Sequence, residues 1–108
     1  MINNKPDFVA ELKYLRTEEG GRSTPARSGY RPQVKFAFSE MQTSGQQTFL
    51  DKKVAYPGDT VNAEISILSP QSFANMLNPG MTFEFREGHK IIGTGKIISI
   101  LNESLAAK

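Results

Sequence analysis

The chain of 108 residues contains no cysteine, which excludes a disulfide framework and any thiolate metal site. It contains one histidine, His89, which excludes zinc clusters built on several histidines. No apolar run approaches the ~18 residues of a membrane-spanning helix. The N-terminal stretch Met1-Ile2-Asn3-Asn4-Lys5-Pro6 has no apolar signal-peptide core, so a cytoplasmic location is expected. There is no phosphate loop of the Walker type, because Gly88-His89-Lys90 and Gly93-Thr94-Gly95 have neither the spacing nor a following helix. No Gly-x-Ser-x-Gly marks a nucleophile elbow, and the 11 acidic side chains are scattered without a pair set for acid–base work. No catalytic residue, no metal site and no cofactor are expected. Asn4-Lys5-Pro6-Asp7 fits the Asn-Lys-x-Asp pattern with which GTPases read guanine. That pattern works at a strand end of a doubly wound domain, and here it stands at the N-terminus without one.

What is present is a sequence of ordinary globular composition, 38% hydrophobic and 22% charged with a net charge of +2. Its length suits one domain with one core. The charge is uneven. Residues 13–35 hold Lys13, Arg16, Arg22, Arg27, Arg31 and Lys35 against Glu18 and Glu19, a local excess of +4, so the other residues sum to −2. Such a segment is either a polyanion-binding surface or a solvated loop.

The dominant period is two. Phe8, Ala10, Leu12 and Tyr14 alternate with Val9, Glu11 and Lys13; Val34, Phe36 and Phe38 with Lys35 and Ala37; Val61, Ala63, Ile65 and Ile67 with Asn62, Glu64 and Ser66; Met81, Phe83 and Phe85 with Thr82, Glu84 and Arg86. Each run reads as a strand with one buried face. Phe8, Phe36, Phe38, Phe83 and Phe85 are expected in the core rather than on a base-stacking face. Lys90–Leu101 is apolar on both sides, and Gly93 and Gly95 lie two apart on one face, a spacing that suggests sharp coiling or close backbone approach. Tyr56-Pro57-Gly58-Asp59, Asn78-Pro79-Gly80 and Glu87-Gly88 break the runs into turns. Short strands between such turns define an all-β sandwich or barrel. Residues 16–32 and 39–48 read as loops, Gln71–Leu77 as at most a helical turn, and residues 102–108 as a flexible, fraying tail.

Several ordered blocks carry a family resemblance. They are Thr17-Glu18-Glu19-Gly20-Gly21-Arg22-Ser23-Thr24-Pro25, Ser28-Gly29-Tyr30-Arg31-Pro32-Gln33, Pro57-Gly58-Asp59-Thr60-Val61, Met81-Thr82-Phe83-Glu84-Phe85-Arg86-Glu87-Gly88 and Ile92-Gly93-Thr94-Gly95-Lys96-Ile97. In order and spacing they resemble the third, C-terminal domain of bacterial elongation factor Tu over residues 8–101. The resemblance implies a small closed six-stranded antiparallel β-barrel, preceded by a linker-like segment at residues 1–7. It implies a noncatalytic module, expected to stand alone without the GTPase domain and so without GTP binding.

In the family this domain meets the GTPase domain and the nucleotide exchange factor, and it lies along the T stem of aminoacyl-tRNA. A protein-interaction module with a translation component as partner is therefore the first expectation, and tRNA or other RNA binding through the Arg22–Lys35 loop and the Glu87-Gly88 turn is the alternative. The positions that match the family's RNA- or partner-facing residues are Arg22, Gln33, Glu87 and Gly88, with Arg27, Arg31 and Lys35 as basic contributors. Arg22 would offer a charged fork to phosphate, Gln33 an amide, and the Glu87-Gly88 turn backbone close to a ribose. Gly20, Gly21, Gly29, Tyr30 and Pro32 read as residues of loop architecture, with the Tyr30 ring packed and its hydroxyl anchored. Cations of the family are absent at Ser69 and near Ala37, which lowers the counterion-release contribution to RNA affinity. His89 and Lys90 replace a glycine and an arginine, and the Gln42–Gln47 region is about one residue longer. A domain apart from its neighbours exposes its old interface, so self-association is also expected.

Overall fold

A computed structural model describes residues 5–108. Eight strands follow in chain order: β1 Phe8–Tyr14, β2 Ala26–Arg27, β3 Gln33–Phe36, β4 Gln42–Phe49, β5 Val54–Ala55, β6 Thr60–Ile67, β7 Thr82–Glu87 and β8 Lys90–Ile100. Six of them close into an antiparallel barrel in the order β1-β6-β4-β3-β7-β8, with β8 returning to β1. The two short ones, β2 and β5, pair as a separate ribbon. Short 3₁₀ turns at Thr17–Glu19, Pro70–Phe73 and Glu103–Leu105 complete the chain.

The alternation in the sequence becomes the barrel wall. Phe8, Ala10, Leu12 and Tyr14 of β1 and Val61, Ala63, Ile65 and Ile67 of β6 are buried, while Glu11 and Lys13 face out. Aromatic rings fill the interior: Phe8, Phe36 and Phe83 meet at centroid distances of 5.7–6.2 Å, and Tyr14 lies edge-on to Phe85 at 4.9 Å. Burying one such ring stabilises the fold by roughly 1.5–3 kcal/mol.

The glycines of β8 owe their place to those rings. Gly95 is registered against Phe83 and Gly93 against Phe85. A β-carbon at Gly93 would sit 2.1 Å from the Phe85 ring, and one at Gly95 would sit 2.2 Å from the Phe83 ring. The close approach read from the sequence is thus ring over backbone, across two strands. The apolar character of β8 on both sides has a separate cause. The pairing with β7 shifts between Phe85 and Arg86 so that Ile92 is the extra residue, and the pairing with β1 shifts between Val9 and Ala10 so that Ile98 is. Each bulge moves the inward set by one position.

Four expectations are corrected. The segment 39–48 is not a loop but contributes β4, the sixth strand of the barrel. Its inward positions are Thr43, Gly45, Gln47 and Phe49, so three of the four give no hydrophobic signal. Phe38 is not core. Strand β3 stops at Phe36, the chain turns through a Ser39 N–H to Phe36 carbonyl bond of 3.2 Å, and the ring is left 48% exposed, stacked at 5.5 Å on Phe36. Residues 70–77 carry more than a passing turn, because Phe73 and Leu77 are both buried.

The tail lies against the barrel end. Leu105 is fully buried, the Leu77 N–H donates to its carbonyl at 2.8 Å, and the Ala107 N–H donates to the Leu77 carbonyl at 2.9 Å. Asp7, part of the Asn-Lys-x-Asp pattern whose Asn4 lies outside the described residues, ties this end together. Its buried carboxylate accepts from the Ile67 N–H at 2.8 Å and the Asn102 amide at 2.9 Å. Its carbonyl accepts from the Leu101 and Asn102 N–H groups at 2.9 Å each.

Candidate binding site

The strand directions give the barrel two unlike ends. One collects the end of β1, the starts of β3, β6 and β8 and the ends of β4 and β7, and it carries the long loop after β1. Most of the residues matched to the family's RNA- or partner-facing positions lie at this end.

Arg22 leaves the loop after the Thr17–Glu19 turn, where the Thr17 hydroxyl donates to the Arg22 carbonyl at 2.7 Å. Its Nε donates to the Thr24 carbonyl at 3.1 Å, and its Nη2 donates to the Thr24 hydroxyl at 3.1 Å and the Pro25 carbonyl at 3.4 Å. Its Nη1 pairs with the Glu87 carboxylate. Four of the five guanidinium N–H groups thus have partners within the chain. The guanidinium carbon also lies 4.6 Å from the centroid of the Tyr30 ring, in cation–π reach. The Tyr30 hydroxyl donates to the same Glu87 oxygen, which is the anchor expected for it.

Electrostatics follow from this closure. Burial of the Tyr30 phenol, then its bond to Glu87, raises its pKa above the usual tyrosine value. Burial pulls the Arg22 guanidinium down, but Tyr30 and Glu87 more than offset it and hold it above its ordinary value. Deeper in the barrel the Tyr14 hydroxyl donates to the Gln47 carbonyl oxygen, and burial followed by the nearby Tyr30 raises the Tyr14 phenol as well. The Gln47 amide nitrogen is buried without a hydrogen-bond partner among the described residues.

Glu87 ends β7, and Gly88 opens the two-residue turn to Lys90 with φ of 62°, the first-position placement of glycine in a type II′ hairpin. Gln33 lies one register row away, between Arg86 of β7 and Ser44 of β4. Lys35 faces Glu84 and Gln42, Arg86 is bound to Glu84, and Arg31 donates to the Gln46 side chain at 3.0 Å. Arg27 stands on the separate β2–β5 ribbon. The structure therefore brings Arg22, Glu87 and Gly88 together, sets Gln33, Arg31 and Lys35 along the adjoining outer wall, and leaves Arg27 apart. Sequence reasoning missed Thr24 and Glu84, each bound to an arginine two residues away, and Gln47, whose partner Tyr14 is 33 residues distant.

Two grooves mark the surface. One, of about 700 Å³, lies at the opposite end and is lined by Pro6, Asp7, Ser66, Leu68, Leu101 and Ser104 among others. The second, of about 220 Å³, lies on the outer wall between Lys35, Thr82, Glu84 and Thr94. His89 lines neither. Among the described residues no three His, Asp or Glu side chains are grouped to hold a metal, and no helix is long and apolar enough to cross a membrane.

A closed six-stranded antiparallel barrel with an ion-paired loop at one end defines a small all-β module. The sequence profile of the elongation factor Tu C-terminal domain matches residues 1–101. The chain belongs to that family, whose domain is a noncatalytic β-barrel associated with translation.

Proposed function

We propose that the chain is a noncatalytic, cytoplasmic binding module of the translation machinery that works by engaging a protein partner. One observation carries the preference for protein over RNA: Arg22 is closed on Glu87, Thr24 and Pro25. A phosphate taken by Arg22 would displace a carboxylate and then sit beside its negative charge, an unfavourable exchange. Glu87 and Gly88 then serve the loop and its turn, and Gln33 belongs to the outer wall.

A second reading, RNA binding, draws on Arg31 and Lys35 beside Gln33 and on the local excess of +4. Titration of the purified chain with aminoacylated and uncharged tRNA, at low and near-physiological salt, separates the two. The protein-partner reading expects no saturable tRNA binding at either salt. Binding that weakens steeply with salt, favours the aminoacylated form and falls in Arg31→Ala and Lys35→Ala establishes the RNA reading instead.

A further inference from the structure

Among the described residues the buried polar or charged side chains are Asp7, Thr43 and Gln47. The Asp7 carboxylate is satisfied by the Ile67 N–H and the Asn102 amide. Gln47 is only 1% exposed, yet its amide nitrogen has no partner. A leucine or methionine at this inward position of β4 would leave no donor unpaired, so the amide costs the fold free energy that an apolar side chain would not. Where a natural fold keeps a local choice that opposes stability, the choice commonly serves a site.

What Gln47 joins shows which site. Its side-chain oxygen accepts from the Tyr14 hydroxyl. Strand β6 lies between β1 and β4 in the barrel, so this bond crosses the interior instead of following a ladder. The backbone of β4 in turn carries the loop that holds Tyr30. The Phe49 N–H donates to the Ser28 hydroxyl at 3.0 Å, the Gly29 N–H to the Gln47 carbonyl at 2.7 Å, the Gln47 N–H to the Tyr30 carbonyl at 2.8 Å and the Gly45 N–H to the Pro32 carbonyl at 2.9 Å. Tyr30 then holds Glu87 through its hydroxyl and faces the Arg22 guanidinium with its ring. Tyr14 lies beneath this cluster. Burial raises its phenol most, and Tyr30, Arg22 and Glu87 are close enough to act on it as well.

We propose that Tyr14 and Gln47 form an internal polar strut that positions Tyr30, and through it Glu87 and Arg22, which makes Gln47 a positioning residue of the candidate site. The strut decides from inside the barrel what the site shows to a partner. With Tyr30 held, the surface offers a closed ion pair and withholds a free guanidinium. The proposal rests on the protein-partner reading, in which the closed Arg22 is the form that meets the partner.

The double variant Tyr14→Phe/Gln47→Met tests it, because it removes both polar partners at nearly constant volume and leaves neither of them unpaired. Its denaturant midpoint should equal or exceed the wild-type value. Hydrogen exchange at the Arg22 Nε–H and the Gly29 amide should nevertheless quicken by about 5–10-fold, the equivalent of one lost hydrogen bond. Tyr14→Phe alone is the milder change and should quicken both in the same sense. Ile97→Val, a core change toward the far end of β8, should lower the midpoint and leave both rates as in the wild type. Wild-type rates in both strut variants overturn the strut but leave the protein-partner reading standing. So does a quickening that Ile97→Val reproduces, since it would follow from lost stability alone. Salt-sensitive tRNA binding by the wild-type chain, with the strut variants still quickening exchange, overturns the protein-partner reading alone.

Discussion

At one end of the barrel Arg22, Thr24, Tyr30 and Glu87 are tied to one another; at the other Leu68 and Leu101 protrude beside Lys5 and Glu103. Around Arg22 the charges close loops. Glu87 holds Arg22 and Tyr30, Asp51 accepts from the Asn62 backbone at 3.1 Å, and Asp59 accepts from the Tyr56 N–H at 2.9 Å with Lys52 at 3.6 Å. Leu50 and Tyr56 are exposed here too, but they stand among Asp51, Lys52, Lys53 and Asp59. At the far end one buried carboxylate, Asp7, binds β6 to the C-terminal turn, and Leu68, Met76 and Phe38 are exposed. The lesson is that a basic segment is not a free basic surface. What counts for a partner is the charge left after internal pairing, and by that measure Arg22, tied to Glu87, is not a free cation.

The wall common to both ends offers the largest effect. Phe85→Ala should lower unfolding free energy by about 3–5 kcal/mol in urea titrations. Gly93→Ala should lower it by about 1–3 kcal/mol alone and by much less in the Phe85→Ala background, where the ring it would strike is gone. Equal costs in both backgrounds would contradict the ring-over-glycine packing.

At the far end, Asp7→Ala should cost about 2 kcal/mol, because it leaves the Ile67 N–H without its acceptor. Hydrogen exchange should then rise for residues 101–107 before it rises in the wall. Uniform acceleration would mean that Asp7 does not serve this end in particular.

At the charged end, Glu87→Gln should cost no more than about 1 kcal/mol, as expected of a partly exposed ion pair. Its sharper readout is local, in faster exchange through residues 16–31.

The smallest effect is pH-dependent. Tyr14 and Tyr30 both have folded pKa values raised above the usual 10.0, first by burial. Above that pH the unfolded chain loses phenolic protons that the folded chain keeps, so stability is complete below about pH 10 and falls as pH rises further. Denaturant midpoints measured from neutral to alkaline pH should show the decline, and Tyr30→Phe should reduce it.

β1, β3, β6 and β7 were legible because their inward positions are Phe, Tyr, Val, Ile, Leu and Ala at strict period two, and β8 because its run is apolar on both sides. β4 was not, since Thr43, Gly45 and Gln47 are polar or small and are accommodated by partners on other strands, as Gln47 is by Tyr14. Phe38 shows the limit of alternation, which continues in the sequence after the strand has ended. Leu105 is a lone apolar residue with no pattern around it, so its docking beside Leu77 left no trace. The site was legible only through family resemblance. Arg22 and Glu87 lie 65 residues apart, and no local spacing signals that they meet.

The closed state of Arg22 is the claim on which the comparison depends, and its Nε–H reports it directly. In a ¹⁵N-labelled sample, the arginine side-chain spectrum should show the Arg22 Nε–H, assigned by its loss in Arg22→Lys, slowed in exchange by its bond to the Thr24 carbonyl. Added tRNA should leave that signal in place at low salt. An Arg22 Nε–H that exchanges as fast as a free guanidinium, or that moves in proportion to added tRNA, would contradict the account.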